Sequence, residues 1–318
     1  KKLLKKKKKN NLMIFKDCKL ICHRNCSDGS LASILFKIFG GKDISFVSSS
    51  SQEVDEAAKE ALNQFPGKVF LVDVSVSLET AKLLDSRKYD FILLDHHKTA
   101  LSLSQFSWCE IEKENKRCGS KMFFDWIKKE TYHRYDNGLL KVNLEKLKEY
   151  ESLINLIDDY DRWIKQYGQQ TEDIAFLFMC LGQELFIERF VKFSSIELKS
   201  EEKYLLKINE RKRQLFIQQK QKEVQIVDKF IQGKSRKVGF VLAYKNQNEL
   251  AEAIYTNFDV DLVVMVGNRI SFRAPERSDV DCEKISKKFN GGGHLGSSGC
   301  SLSDIIGKEL LEIVKEKI

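Results

Sequence analysis

The 318-residue sequence lacks the features that mark several classes of protein. It has no run of about 18 apolar residues, the length a transmembrane helix requires. No internal repeat is visible, and the chain has only 2 prolines. Hydrophobic residues make up 42% and charged residues 31% of the chain, which excludes wholesale disorder and allows a sizeable core. The length favours two domains.

The eight cysteines include no paired CxxC spacing. Cys18, Cys22 and Cys26 recur every four residues, as ligands on one face of a helix would. However, the segment Lys19–Cys22 predicts a strand running into a turn, which would scatter the three thiols. We therefore expect reduced thiols in an intracellular compartment, the cytoplasm or an organelle matrix, rather than disulfides or a structural zinc site.

The basic character of the chain is confined to its first residues. Seven lysines within residues 1–9 account for most of the net charge of +8, so the remainder carries about +1. A like-charged block of this kind is usually a solvated tail, although it can dock on anionic polymers, membrane surfaces or protein partners. The rest of the chain offers no obvious basic track for long nucleic acid.

The N-terminal part alternates short apolar runs with amphipathic stretches. The runs predict buried strands, and the stretches between them have helical spacing. This alternation predicts an α/β domain with a largely parallel sheet flanked by helices. The predicted strands and helices, in chain order, are Lys19–Cys22, Leu31–Phe39, Ile44–Val47, Val54–Phe65, Lys68–Val74, Leu78–Leu84 and Tyr89–Leu94.

The middle of the chain is predicted to be helical, and a second α/β pattern follows near Arg236. The predicted middle helices are Ser120–His133, Leu144–Trp163 and Ile174–Phe193, followed by a long polar helix over Ile196–Val227. The later elements are a strand at Val238–Tyr244, a helix at Glu249–Phe258, a hairpin of Leu262–Val266 with Arg269–Ala274, a helix at Asp281–Phe289 capped by Ser278 or Asp279, and a helix at Asp304–Ile318. We therefore expect a basic tail, an α/β domain, a helical connector and a smaller C-terminal α/β domain at residues 1–14, 15–195, 196–228 and 229–318.

Acidic and histidine residues follow three of the predicted strands. Asp73 ends one apolar run, and Asp95-His96-His97 directly follow another. His23 and Asp28 come just after the first strand. Because ligands of parallel sheets bind beyond the carboxyl ends of the strands, these groups should converge at one edge. Several buried carboxylates together would repel one another unless a cation lay among them, which favours manganese or magnesium over zinc. Each aspartate could instead simply cap a helix or bind a loop amide.

A further acidic contribution comes from the end of a predicted helix, in Ile157–Trp163. Asp158, Asp159 and Asp161 cannot all face one way on a helix, so at most two can be ligands. We select Asp159 and expect the others to lie on the surface or to pair with Arg162.

The segment from Asn290 to Gly299 is rich in glycine. Glycines allow backbone amides to approach an anion closely, and His294 adds a donor that can switch its charge near neutral pH. Arg273, at the end of the preceding hairpin, supplies a fork suited to phosphate. A flexible surface loop is the alternative.

Two motifs together resemble a known family. Asp95-His96-His97 after a hydrophobic strand matches the signature of the DHH phosphoesterases. The run from Phe289 to His294, followed by Gly299, is similar to the glycine-histidine loop of the DHH-associated C-terminal domain. The resemblance covers nearly the whole chain, in the family's order. The family includes single-strand exonucleases, oligoribonucleases, cyclic-dinucleotide phosphodiesterases and exopolyphosphatases.

The resemblance implies two manganese or magnesium ions in a cleft between the two domains. It implies metal ligation by His23, Asp28, Asp73, His96 and one of Asp158 or Asp159. Asp95 would orient its neighbouring histidine, and His97 would contact the phosphate. The implied substrate-binding residues are Arg273, Gly291, Gly292, Gly293 and His294.

The expected activity is metal-assisted hydrolysis of a phosphodiester or phosphoanhydride in a small oligonucleotide, dinucleotide or polyphosphate. The chain departs from the family pattern at Asn25 and Ser30, where members carry carboxylates. This departure supports an alternative, in which the protein is a degenerate member that serves as a structural or binding subunit. A third possibility is a nucleotide-sensing module without turnover.

Overall fold

The computed structural model describes residues 14–48, 50–134 and 144–302. Contacts divide the chain into two compact units, Lys1–Leu206 and Lys207–Ile318. The expected basic tail, apart from its last residue, and the closing helix over Asp304–Ile318 lie outside the described residues. No helix in the described ranges is long and apolar enough to cross a membrane.

The first unit is built on a parallel five-stranded sheet, as the alternating pattern predicts. Its strands stand in the order β2-β1-β3-β4-β5, and every pair is parallel. The short edge strand β5 was not predicted. The strands are β1 Cys18–His23, β2 Asp43–Val47, β3 Lys68–Val72, β4 Phe91–Asp95 and β5 Cys109–Ile111.

Helices cover both faces of this sheet, so its central strands are apolar on both sides. Leu20 and Phe70 belong to one buried cluster, and their strand neighbours Ile21 and Leu71 belong to another on the opposite face. Burial on both faces explains why these strands read as continuous apolar runs. The helices are α1 Ser27–Ile38, α2 Ser51–Gln64, α3 Leu78–Leu84, α4 Gly119–Arg134, α5 Glu151–Asp161 and α6 Gln169–Lys192.

Two of these helices differ from the sequence prediction in ways that affect the site. Helix α1 begins at Ser27, so Asp28 lies in its first turn rather than in a preceding loop. The helix predicted over Leu144–Trp163 is interrupted by a turn at residues 149–150, and α5 begins at Glu151. Tyr150 occupies the N-cap of α5 and is buried, with its hydroxyl donating to the carbonyl of Phe190.

The second unit contains a mixed six-stranded sheet in the order β10-β11-β9-β8-β7-β6. Helix α8 packs on one face, and helix α9 lies against the other. The long polar helix α7 crosses the division between the units. The elements are α7 Ser200–Lys222, β6 Gln225–Ile231, β7 Lys234–Leu242, α8 Gln247–Asn257, β8 Leu262–Val266, β9 Arg269–Arg273, α9 Cys282–Lys287, β10 Gly292–Gly293 and β11 Ser297–Ser301.

Strand β6 corrects the expectation that the polar helix continues to Val227. The helix ends at Lys222, and β6 forms an antiparallel hairpin with β7 through a turn at Gln232-Gly233. All residues of β6 except the last are exposed. This edge strand therefore lacks the alternation of apolar and polar residues from which a half-buried strand is predicted.

The predicted cap of α9 is also wrong. Asp281 is the N-cap, and its side chain accepts a hydrogen bond from the amide of Lys284. Ser278 and Asp279 lie before the helix, in the turn that leads to it.

Candidate metal site

The strand ends converge as the parallel arrangement predicts. Strands β1, β3 and β4 are neighbours in the sheet, and their carboxyl ends deliver His23, Asp73 and Asp95 to the same edge. His96 and His97 continue directly from β4. The side chains of Asp73 and Asp95 are almost fully buried. This edge therefore holds ionisable groups in a place where water compensates them poorly.

Asp73 lies at the centre of the cluster. Its Oδ2 is 3.5 Å from Nδ1 of His23, and its Oδ1 is 3.4 Å from Nε2 of His96 and 3.9 Å from Nδ1 of His97. The residue has a φ of 59°, a left-handed conformation that aspartate tolerates better than most residues. Gly119 packs against it so closely that a Cβ there would lie 2.9 Å from the Asp73 backbone.

His96 and Asp161 extend the cluster on the other side of Asp73. Nε2 of His96 lies 3.4 Å from Oδ2 of Asp161, which is at the last residue of α5. Among the described side chains, four buried atoms in this cluster have no hydrogen-bond partner: Asp73 Oδ2, Asp161 Oδ2 and both ring nitrogens of His96. Buried polar atoms are normally satisfied, so their convergence requires a specific explanation.

Asp95, by contrast, is saturated with hydrogen bonds and orients His97. Its Oδ1 accepts from the backbone amide of His96 at 2.8 Å and interacts with Nδ1 of His97 at 2.7 Å. Its other oxygen accepts from the hydroxyl of Ser75. The geometry supports the orienting role that the resemblance implies, and it fixes the direction of the His97 ring.

Asp28 has two connections. Its oxygens accept hydrogen bonds from the amides of Gly119 and Ser120, at 2.8 and 2.9 Å, and from the Ser120 hydroxyl. It therefore holds the first residues of α4 in place. One of its oxygens also lies within 4.8 Å of potential ligand atoms of His96 and Asp161.

Of the acidic residues at the end of α5, Asp161 is in the cluster, whereas Asp159, which we selected from the sequence, is in none of its ligand sets. The carboxylate of Asp159 accepts from the amide of Gln166 and the hydroxyl of Thr171, so it anchors the chain that leads to α6. Asp158 pairs with Arg162, as expected, and also with Lys121. Asp161 is the residue of this run that reaches His96.

Asn25 and Ser30, the two departures from the family pattern, form hydrogen bonds to atoms other than the ligand atoms of the cluster. Asn25 is exposed and occupies a left-handed turn with a φ of 55°. Ser30 is buried in α1, and its hydroxyl donates to the carbonyl of Cys26 at 2.6 Å. Between His23 and Asp28, the side chain of Cys26 also enters the cluster, although the sequence interpretation had grouped it with scattered thiols.

Three overlapping sets of side chains offer ligand atoms within 4.8 Å of one another. Asp73 is shared by two sets, and His96 is shared by two. Imidazole and carboxylate donors suit a divalent ion, and cations among them would satisfy the unpartnered carboxylate oxygens and one ring nitrogen of His96. The residues present therefore fit a divalent metal. The sets are Asp73, Asp95, His96 and His97; His23, Cys26 and Asp73; and Asp28, His96 and Asp161.

Comparisons with known proteins agree with the sequence motifs. No family model matches the chain. The chain is 25% identical over 302 residues to oligoribonuclease NrnB from Bacillus subtilis, an alignment that covers 88% of this chain and 72% of that protein. An alignment of this length includes part of each unit. The motifs and this relative together indicate a resemblance to the DHH phosphoesterases.

Solved structures include one with the same fold. RecJ from Thermus thermophilus, solved in complex with Mn²⁺, has a TM-score of 0.55 and 12% sequence identity, covering 98% of this chain and 53% of RecJ. The pGpG-specific phosphodiesterase PggH from Vibrio cholerae has a TM-score of 0.48 and 12% identity, covering 93% and 98% of the two chains.

The electrostatics of this cluster show an excess of buried negative charge. Burial, together with the charges of Asp73 and Asp161, raises the pKa of Asp28 to about 7. Burial also raises the pKa of Asp161. Burial opposes the ionisation of Asp73, but its contacts with His23 and His96 and the charge of His97 hold its pKa below the ordinary value. The cluster thus keeps its protons unless another cation neutralises it.

The pKa values of His96 and His97 are raised as well. Burial acts to lower the pKa of His96, but the contact with Asp73 and the charge of Asp161 outweigh it and raise the pKa to about 10. For His97, burial is likewise outweighed by the charge and hydrogen bond of Asp95, and the pKa rises to about 9. In the absence of metal, both rings are therefore protonated at neutral pH.

We predict that the metal-free protein loses stability as the pH rises from about 6.5 to 9. The folded chain keeps His96 and His97 protonated in this range, whereas the unfolded chain releases those protons near its ordinary pKa of 6.5. The stabilisation is fully present below pH 6.5 and is lost as the pH passes the folded values. Asp28 contributes in the same direction between its ordinary pKa of 3.8 and about 7.

The measurement is thermal unfolding across this pH range, with EDTA and with added divalent ion. We expect the melting temperature in EDTA to fall by several degrees, and the gap between the two conditions to widen as the pH rises. A His96→Gln variant should flatten the decline in EDTA. A wild-type melting temperature that stays constant in EDTA would contradict the charge assignment.

In the second unit, the glycine-rich segment forms a hairpin rather than an open loop. Strand β10 pairs with β11, and the turn is closed by the amide of His294 donating to the carbonyl of Ser297 at 2.7 Å. A Cβ at Gly291 would lie 2.3 Å from the carbonyl oxygen of Gly299, so close strand approach requires glycine there.

Arg273 is placed beside this hairpin. Its Nε donates to the side chain of Asn248 at 2.9 Å, and its Nη1 donates to the carbonyl of Ser298 at 3.2 Å. The structure therefore brings Arg273 and the glycine-rich segment together, as expected, within the second unit.

Proposed function

We propose that this protein is a DHH phosphoesterase, a divalent-metal-dependent hydrolase that cleaves a phosphodiester in short oligonucleotides. The observation that carries the proposal is the convergence of buried carboxylate and imidazole atoms without hydrogen-bond partners at the ends of β3 and β4. Burying these polar atoms without partners costs free energy, and a cation bound among them would offset that cost. The similarity to an oligoribonuclease supports the choice of substrate.

We assign metal binding to most residues of the cluster and stabilisation of the phosphate to His97. His23, Asp28, Asp73, His96 and Asp161 would hold the metal, with manganese or magnesium as the expected ions. A bound divalent ion supplies Lewis acidity towards a phosphoryl oxygen and acidifies water. His97, held by Asp95, lies beside the metal ligands and would donate to the phosphate as its negative charge develops.

We assign the substrate's terminal phosphate or nucleotide to the second unit. The guanidinium of Arg273 is partly buried, and this burial lowers its pKa. Arg273 ends β9, which pairs with β11, and β11 pairs in turn with the strand of the hairpin that contains Gly291, Gly292, Gly293 and His294. A guanidinium beside tightly turned backbone is suited to anion recognition. The near-neutral charge outside the N-terminal lysines favours a short substrate over long nucleic acid.

The experiment is hydrolysis of a short, end-labelled oligoribonucleotide by the full-length chain. We expect turnover with manganese or magnesium, complete loss in EDTA, and recovery when the ion is restored. A parallel reaction with inorganic polyphosphate tests the phosphoanhydride alternative. Turnover that persists in EDTA would reject metal dependence, and the absence of hydrolysis with any divalent ion would reject the catalytic proposal.

The alternative of a degenerate binding subunit rests on Asn25 and Ser30. The cluster offers three sets of ligand atoms without a carboxylate at either position. The geometry therefore favours the enzyme.

A further inference from the structure

We propose that Cys26 is a thiolate ligand of the metal centre, together with His23 and Asp73, so that one ion position takes a borderline-soft divalent ion such as Zn²⁺ or Co²⁺ in preference to Mg²⁺. This inference rests on the proposed function, because it concerns the same centre. It goes further by distinguishing two positions with different ion preferences.

The placement of Cys26 is the first support. It lies between β1 and α1, as the N-cap of α1, with an extended backbone at φ −124° and ψ 142°. N-cap side chains usually accept a hydrogen bond from a helix amide, and serine, threonine, aspartate and asparagine are preferred for that reason. Cys26 makes no such bond. Instead, its Sγ lies within 4.8 Å of ligand atoms of both His23 and Asp73.

An independent observation at the same point is the unsatisfied carboxylate oxygen of Asp73. Its Oδ2 is buried without a hydrogen-bond partner, in a side chain that is only 2% exposed. This oxygen lies 3.5 Å from Nδ1 of His23. A carboxylate oxygen, an imidazole nitrogen and a sulfur thus surround one small volume.

The backbone holds Cys26 in register with His23. A Cβ at Gly29 would lie 2.2 Å from the carbonyl oxygen of His23, so only glycine allows the first turn of α1 to approach the end of β1 this closely. The amide of Ser30 donates to the carbonyl of Cys26 at 3.0 Å, and its hydroxyl donates to the same oxygen. These contacts fix the segment from which the thiol projects.

The donor sets of the two positions differ in chemical softness. His23, Cys26 and Asp73 offer nitrogen, sulfur and oxygen, whereas Asp28, His96 and Asp161 offer one nitrogen and carboxylate oxygens. Thiolate selects zinc and similar ions, and carboxylate suits magnesium and manganese. When an ion binds at the first position, the S–H bond breaks, the proton passes to solvent, and a sulfur electron pair forms the bond to the ion.

The test is the absorption spectrum of the full-length protein titrated with Co²⁺ under reducing conditions. Thiolate bound to cobalt gives a near-ultraviolet charge-transfer band that oxygen and nitrogen ligands do not give. We expect this band in the wild type and its loss in Cys26→Ser. Serine is a preferred N-cap, so this variant should retain helix α1. Cys109→Ser is the matched control, because Cys109 lies on β5 outside the cluster, and it should keep the band.

A second measurement compares ion preference in the wild type and Cys26→Asp. We expect the ratio of zinc affinity to manganese affinity to fall at least about tenfold in the variant. A charge-transfer band that survives in Cys26→Ser, or an unchanged affinity ratio, would overturn the thiolate assignment while leaving the proposed function intact. If calorimetry shows that no divalent ion binds the wild type, both the thiolate assignment and the proposed function fail.

Discussion

Replacement of Asp73 by asparagine is expected to lower phosphodiester hydrolysis by at least about 10³-fold. Asp73 contacts His23, His96 and His97, and two of the three candidate ligand sets include it. Asparagine also tolerates the left-handed backbone at φ 59°, so the substitution removes the charge without straining the chain.

The Asp73→Asn measurement has two parts: the rate with saturating divalent ion, and ion affinity by calorimetry. Both should fall, because a neutral amide oxygen is a weaker ligand than a carboxylate. Asp43→Asn is the matched control. Asp43 is an exposed aspartate at the start of β2 that pairs with Lys19, and its loss should change the rate less than about twofold. Near-wild-type turnover in Asp73→Asn would show that the metal centre takes no part in hydrolysis.

The second large effect is expected for Asp95→Asn, which should lower the turnover number by about 10²- to 10⁴-fold. Asp95 uses one oxygen for Nδ1 of His97 and the other for the hydroxyl of Ser75. An amide accepts through one oxygen only, so the bond to Ser75 must reverse its direction and the His97 ring loses its charged partner. Loss of the negative charge also lowers the pKa of His97.

Two readouts separate this positioning role from metal ligation. Ion affinity should fall less in Asp95→Asn than in Asp73→Asn, and the alkaline limb of the rate profile should move to lower pH. Asp90→Asn, in the exposed turn before β4 where Asp90 pairs with Arg87, is the control and should behave as wild type. An unchanged pH profile with reduced turnover would show that Asp95 does not act through His97.

The sequence predicted the sheet and the convergence of its strand ends because both follow from local patterns. Continuous apolar runs separated by helical stretches require a parallel sheet covered on two faces. The carboxyl ends of such strands meet at one edge, so Asp73 and Asp95-His96-His97 could be placed together before any coordinates.

The choice among the aspartates of α5 could not be made in the same way. Successive residues of a helix point about 100° apart, so Asp158, Asp159 and Asp161 face different neighbours. Only the packing of α5 decides that Asp158 meets Lys121, Asp159 meets Thr171 and Asp161 meets His96. The spacing showed that the three side chains must point in different directions, and the tertiary contacts show which neighbour each one meets.

The contribution of Cys26 was missed for a similar reason. Its spacing from Cys18 and Cys22 suggested a common helical face, and rejecting that face left no role for any of the thiols. The structure places Cys18 and Cys22 in β1 and Cys26 at the cap of α1, where it meets side chains from other strands. The signal available in the sequence was a cysteine between two predicted site residues, His23 and Asp28.

The most direct test of the metal centre is anomalous scattering from a crystal of the full-length protein soaked in manganese. We expect an anomalous peak within bonding distance of Asp73 and His96, with Asp161 completing the site. A protein that binds no manganese at this edge of the sheet, or binds it only at other side chains, would contradict the assignment of the centre.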